Sequence, residues 1–139
     1  MTPAQVKLVQ ASFAKVAPIA ETAAGLFYTR LFEIAPEVRP LFKGSTVEQG
    51  RKLMAALGMI VKGLSNPATV LPEVRMLAVR HVNYGVKPDH YVLVGEALVW
   101  TLEKGLGDEF TPETREAWVM AYTMLSSVMI EEAYGNARV

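Results

Sequence analysis

Apolar residues recur along this chain at helical spacing almost from end to end, and no run alternates as a half-buried strand requires. An all-α fold follows, with prolines marking the joints. Thr2-Pro3 supplies a cap residue and a proline at the first helical position, and Pro18 closes a stripe made by Val6, Val9, Phe13 and Val16. The same reading places a second helix over 19–34, a short helical piece from Pro36 to about Phe42, and a helix over 47–64. Asn66-Pro67 breaks the chain before a helix over 69–82, which Gly85 closes. Pro88 opens a helix reaching Gly105, and Thr111-Pro112-Glu113 opens the last, which runs to about Tyr134. The two long C-terminal helices, joined by Gly-Leu-Gly-Asp, are expected to pack antiparallel. About seven helices with short joints are too many for a four-helix bundle of this length.

No repeat, low-complexity stretch or composition shift divides the 139 residues, so one domain over 1–139 is expected. With 51% apolar residues the chain can bury a large core. Fourteen basic and fourteen acidic side chains cancel, which leaves no basic stripe to bind nucleic acid. The lack of cysteine excludes disulfides, zinc thiolates, iron–sulfur clusters and thiol nucleophiles. The first residues show neither a basic leader nor an apolar signal stretch, and the uncharged run over 117–130 is too short to span a bilayer. A soluble, cytoplasmic protein is the expectation.

Within the helix over 69–82, Val74, Leu77, Ala78 and His81 share one face, while Glu73, Arg75 and Arg80 point elsewhere. Taken alone, a histidine on an apolar face reads as a core residue bonded to a carbonyl. The segments around it change that reading. Leu26-Phe27-Tyr28 through Pro36-Glu37-Val38-Arg39-Pro40-Leu41-Phe42, then Gln49 to Leu53, form the first part of an ordered set. His81-Val82-Asn83-Tyr84-Gly85-Val86 through His90-Tyr91-Val92-Leu93-Val94-Gly95, and Ala117-Trp118 through Tyr122, complete it. In order and separation these motifs resemble bacterial single-domain haemoglobins and the globin domain of flavohaemoglobins, over nearly the whole chain.

The resemblance implies a globin fold around a haem pocket, with haem b (iron protoporphyrin IX) as cofactor and His81 as the proximal iron ligand. By position, Tyr28 and Gln49 match the two distal donors, Leu53 an apolar wall beside them, and Phe42 the phenylalanine packed on the porphyrin face. Ala24 and Gly50 are small enough to bring the two donor helices together. Tyr91 matches a tyrosine that in flavohaemoglobins joins the proximal histidine and a glutamate of the last helix, a set that pushes electron density onto iron. Here the chain departs from the pattern: the glutamate position falls on Ala133, and Glu131 and Glu132 are the nearest carboxylates. Val86 and Val94 match haem-contacting wall residues. Lys52 and Arg80 are candidates to meet the propionates, or else solvated surface cations. Tyr122 is a pocket candidate with core packing as its other reading, and His90 reads as a surface or corner residue.

Two donors aimed at bound dioxygen imply tight binding. The implied activity is conversion of nitric oxide to nitrate with electrons from a separate reductase, because the chain ends after the last globin helix. Oxygen binding, storage or delivery without turnover is the alternative, ahead of a gas sensor or a peroxidase-like protein. The implied partners are dioxygen and other diatomic gases, with that reductase.

Overall fold

The computed structural model describes residues 2–42, 45–83 and 88–134, except for the side chains at 46, 67, 81–83, 88, 133 and 134. Six α-helices occupy most of these residues: α1 Pro3–Val16, α2 Ala20–Ile34, α3 Thr46–Gly63, α4 Pro67–Asn83, α5 Pro88–Leu106 and α6 Pro112–Tyr134. Three short 3-10 turns, Ala17–Ile19, Pro36–Leu41 and Gly107–Glu109, complete the described architecture. The chain is all-α, as its periodicity requires.

Local chemistry explains the helix starts. Thr2 and Gln5 form a reciprocal capping box, with the Gln5 N–H donating to Thr2 Oγ1 at 3.1 Å and the Thr2 N–H to Gln5 Oε1 at 2.9 Å. Ser45 Oγ accepts the Glu48 N–H at 3.1 Å ahead of α3, and Thr111 Oγ1 accepts the Thr114 N–H at 3.2 Å ahead of α6.

The expected boundaries shift at three prolines. Pro18 lies within the 3-10 turn between α1 and α2, so α2 begins at Ala20. The piece from Pro36 is a 3-10 helix rather than a seventh α-helix, because Pro40 has no N–H to bond the carbonyl one α-turn earlier and its ring crowds that carbonyl. Pro67 begins α4 two residues before the expected start, since a proline at the first helical position gives up only an N–H that would be unpaired anyway.

Packing then sets the architecture. α5 lies mainly against α2, and α3 also packs on α2, while α6 lies mainly against α4 and α1 and makes a smaller contact with α5. Among the described residues, most buried apolar side chains fall into two clusters. One joins α1, α2, α3, α5 and α6 through residues such as Val9, Phe27, Tyr28, Leu31, Leu102 and Trp118. The other joins Val74 and Ala78 of α4 to Tyr91 of α5 and Met129 of α6.

Polar ties cross these interfaces. The buried Trp118 Nε1–H donates to Ser12 Oγ at 2.8 Å, and the Ser12 hydroxyl donates to the Leu8 carbonyl at 2.6 Å, so neither group is left unpaired in the core. Gln10 of α1 donates to the Val61 carbonyl at 3.0 Å and to Ser65 Oγ at 2.9 Å, closing carbonyl and hydroxyl groups at the end of α3. Among the described residues no helix is long and apolar enough to cross a membrane.

Candidate functional site

Tyr28 sits in the third turn of α2 and is 5% exposed. Its ring meets Phe27 edge-on at 5.1 Å and Phe42 edge-on at 5.3 Å, and it stacks on Phe32 at 6.0 Å. Phe32 follows Tyr28 by four residues, so both lie on one stripe of α2, and Phe42 reaches them from the end of the 3-10 turn. Burial alone pushes the Tyr28 phenol from 10.0 up to about 12. The group therefore stays neutral and keeps its proton at any ordinary pH. Its hydroxyl makes no hydrogen bond to another described residue.

α3 crosses α2 beside this phenol. A Cβ added at Gly50 would lie 2.8 Å from Ala24 Cβ and 4.0 Å from Tyr28 Cε2, so the glycine is what lets the two helices touch there. The close approach expected from Ala24 and Gly50 is present. Gln49, just before Gly50, is half-buried, and Leu53, one turn on, packs against the first cluster.

A second aromatic group occupies the α4, α5 and α6 side. Tyr91 is buried within the second cluster. The Tyr122 hydroxyl of α6 donates to the Tyr91 carbonyl at 2.5 Å, and Gly95 makes room for it: a Cβ there would lie 2.7 Å from Tyr122 Cε2. Burial first, then the neighbouring Tyr91, raises the Tyr122 phenol above its ordinary range. Val94 is half-buried and packs on the first cluster. His81 belongs to α4, three residues after the buried Ala78 and seven after the buried Val74; its side chain lies outside the described residues, as does Val86.

Lys52 and Arg80 are exposed. Glu131 and Glu132 are exposed too, and Glu132 faces Arg75 of α4 with 3.7 Å between carboxylate and guanidinium. That pairing directs Glu132 to the surface, and the side chain of Ala133 lies outside the described residues. His90 is half-buried rather than fully on the surface. Sequence reading passed over Phe32, which stacks on Tyr28, meets Phe42 at 5.6 Å and carries the Arg39 guanidinium 5.1 Å from its centroid. The four-residue step from Tyr28 was the available signal. Tyr122 packs on the first cluster, as its core reading has it, and its hydroxyl reaches a backbone acceptor beside the second.

Residues 25–129 match the globin family. Over 128 residues the chain is 36% identical to a flavohemoprotein of Rhodopirellula baltica, an overlap covering 90% of this chain and 31% of that protein. Over 107 residues it is 35% identical to a flavohemoprotein of Bordetella parapertussis, covering 75% and 27% respectively. The chain thus spans less than a third of the length of these relatives. Among solved structures, a bacterial globin from Campylobacter jejuni superposes with a TM-score of 0.87 at 28% identity, covering 99% of this chain and 100% of that one. An engineered carbene transferase from Rhodothermus marinus, provisionally assigned as a nitric oxide dioxygenase, gives a TM-score of 0.87 at 29% identity, covering 99% and 96%.

Proposed function

The chain belongs to the globin family and has its fold, and from that premise we propose that it binds haem b, holds dioxygen tightly, and converts nitric oxide to nitrate when a separate reductase supplies electrons. The observation that carries this reading is Tyr28: a neutral phenol, 5% exposed, ringed by Phe27, Phe32 and Phe42, with its proton available to a ligand.

The described residues fit such a group. Their buried side chains form two clusters instead of one, with Tyr28 in the first and Ala78 and Tyr91 in the second. In this reading His81 of α4 is the proximal ligand and Phe42, Leu53, Val86 and Val94 form the apolar walls. Lys52 and Arg80 reach the propionates from solvent. Bound haem supplies the iron that takes up the gas and the change of oxidation state on which the reaction depends.

The chain's own residues do the rest. Tyr28 donates a hydrogen bond to the distal ligand, and the surrounding rings keep the bond dry and strong. Gln49 supplies a second, amide donor from α3. Ala24 and Gly50 fix the separation of the two donor helices. On the other side Tyr91 is held through its carbonyl by Tyr122. With Glu132 facing Arg75 and Ala133 at the family's glutamate position, this reading leaves the proximal imidazole without a carboxylate to make it electron-rich, which favours dioxygenation over heterolytic peroxide cleavage.

The test is nitrate yield. Haem-loaded protein with oxygen, an added flavin reductase and its nicotinamide donor should consume nitric oxide over many turnovers, with one nitrate formed per nitric oxide. An oxygen complex that forms but yields no nitrate when nitric oxide is added would contradict the enzymatic reading and leave an oxygen-binding protein.

A further inference from the structure

Two of the rings around Tyr28 are tied to a single residue. Phe32 stacks on Tyr28 at 6.0 Å with 28° between the planes, Phe42 meets Tyr28 edge-on at 5.3 Å, and Phe32 and Phe42 meet each other at 5.6 Å. The three rings form a closed triangle between α2 and the 3-10 turn. The exposed Arg39 reaches it from that turn. Its carbonyl accepts the Phe42 N–H at 3.1 Å, and its guanidinium lies over Phe32, 5.1 Å from the ring centroid.

The local sequence accounts for this double hold. In a 3-10 helix side chains three residues apart eclipse, so Arg39 and Phe42 stand on the same edge of the Pro36–Leu41 turn and reach the same ring of α2. Pro40 stiffens the backbone between them. Glu33, the neighbour of Phe32 in α2, is engaged by Arg30 at 3.3 Å, and the Arg39 guanidinium lies instead on the negative face of the phenyl ring. Among the described residues no hydrogen bond fixes the Tyr28 hydroxyl. Its direction is set by the rings around it.

We propose that Arg39 is a positioning residue for the distal donor: by holding Phe32 through its guanidinium and Phe42 through its carbonyl, it keeps the Tyr28 ring at the angle from which its hydroxyl can donate. The hydroxyl sits at the far end of the ring, so a small pivot of the ring swings it through an arc and misaligns its hydrogen bond. The inference rests on the haem reading above, in which Tyr28 is the donor.

The experiment measures oxygen and carbon monoxide release by stopped flow from haem-loaded wild type, Arg39→Gln, Arg39→Lys, Tyr28→Phe and the double variant Tyr28→Phe with Arg39→Gln. Glutamine removes the charge and leaves the carbonyl tie in place. Arg39→Gln should speed oxygen release by about two- to fivefold, the range that an exposed cation–π contact can supply, with carbon monoxide release unchanged. Arg39→Lys, which still has a cation to lay on the ring, should recover part of the difference. Once Tyr28→Phe has removed the hydroxyl, Arg39→Gln should add nothing, because there is no donor left to position. A readout independent of gas release is the set of nuclear Overhauser contacts between the Phe32 and Tyr28 rings in the diamagnetic carbon monoxide complex, which should weaken in Arg39→Gln. If Tyr28→Phe itself leaves oxygen release unchanged, the donor reading fails and this inference with it. If Tyr28→Phe acts as expected but Arg39→Gln matches wild type in oxygen release or in ring contacts, or speeds release equally without the hydroxyl, the positioning role alone is overturned.

Discussion

In the function proposed above, Tyr28 concentrates the chemistry in one hydroxyl. A hydrogen bond from a neutral phenol to a partly charged ligand is worth about 1.5–3 kcal/mol, so Tyr28→Phe should speed oxygen dissociation by roughly tenfold or more. Carbon monoxide, which gains little from a donor, should leave at a rate closer to wild type; stopped-flow measurement of both gases checks this, and equal effects on the two would count against the donor role. The same burial makes a pH prediction. The folded phenol titrates near 12 against 10.0 when free, so the stability it lends is fully present below pH 10 and is lost as pH rises through 12. Tyr122, raised by burial, acts in the same direction. Chemical unfolding at increasing alkaline pH should show a decline from about pH 10 that is shallower in Tyr28→Phe. A decline of equal slope in the variant would show that Tyr28 does not contribute. Tyr28 was legible from its flanking motif, and so was Phe42. Phe32 was not, because a phenylalanine on an apolar helix face looks like any core residue until its partners are known. The pairing of Glu132 with Arg75 was also hidden, since it depends on how α6 lies on α4.

Helix starts were readable wherever a cap residue or proline precedes a periodic stripe, as at Thr2-Pro3 and Thr111-Pro112. The crossing of α2 and α3 was readable too, because Ala24 and Gly50 are small residues near Tyr28 and Gln49. What could not be read was the effect of a proline in context. Pro18 and Pro67 look alike in sequence, yet one lies in a 3-10 turn and the other begins α4. The joint from α3 to α4 depends on Gly63 in a way the sequence did not signal. A Cβ there would lie 1.6 Å from Val70 Cγ2, so the Val70 side chain or α4 itself must shift to admit any side chain. Gly63→Ala should lower stability by about 1–3 kcal/mol, as overpacking does, measured by denaturant unfolding; a neutral result would mean that this joint relaxes freely. At Gly25 an added Cβ would meet nothing within 4 Å, so Gly25→Ala should behave in the opposite way, which makes the pair an internal comparison of crowded and open helix glycines.

At the scale of the whole molecule, the all-α class followed from periodicity alone, and the globin family from the order and spacing of short motifs. The division of the buried side chains into two clusters did not follow, because which helices pair is decided by packing rather than by the period of any one of them. α6 shows this: it does contact α5, with which it was expected to pack antiparallel, but it lies mainly on α4 and α1. The central claim is that the two clusters close on one haem held by His81. Titrating the haem-free protein with haemin while recording the Soret band and the iron–histidine Raman stretch tests it directly. The expected result is uptake of one equivalent per chain in the wild type, with the stretch lost and haem uptake abolished or rearranged in His81→Ala. Failure of the wild type to take up haem, or an unchanged Soret band and iron–histidine stretch in His81→Ala, would contradict it.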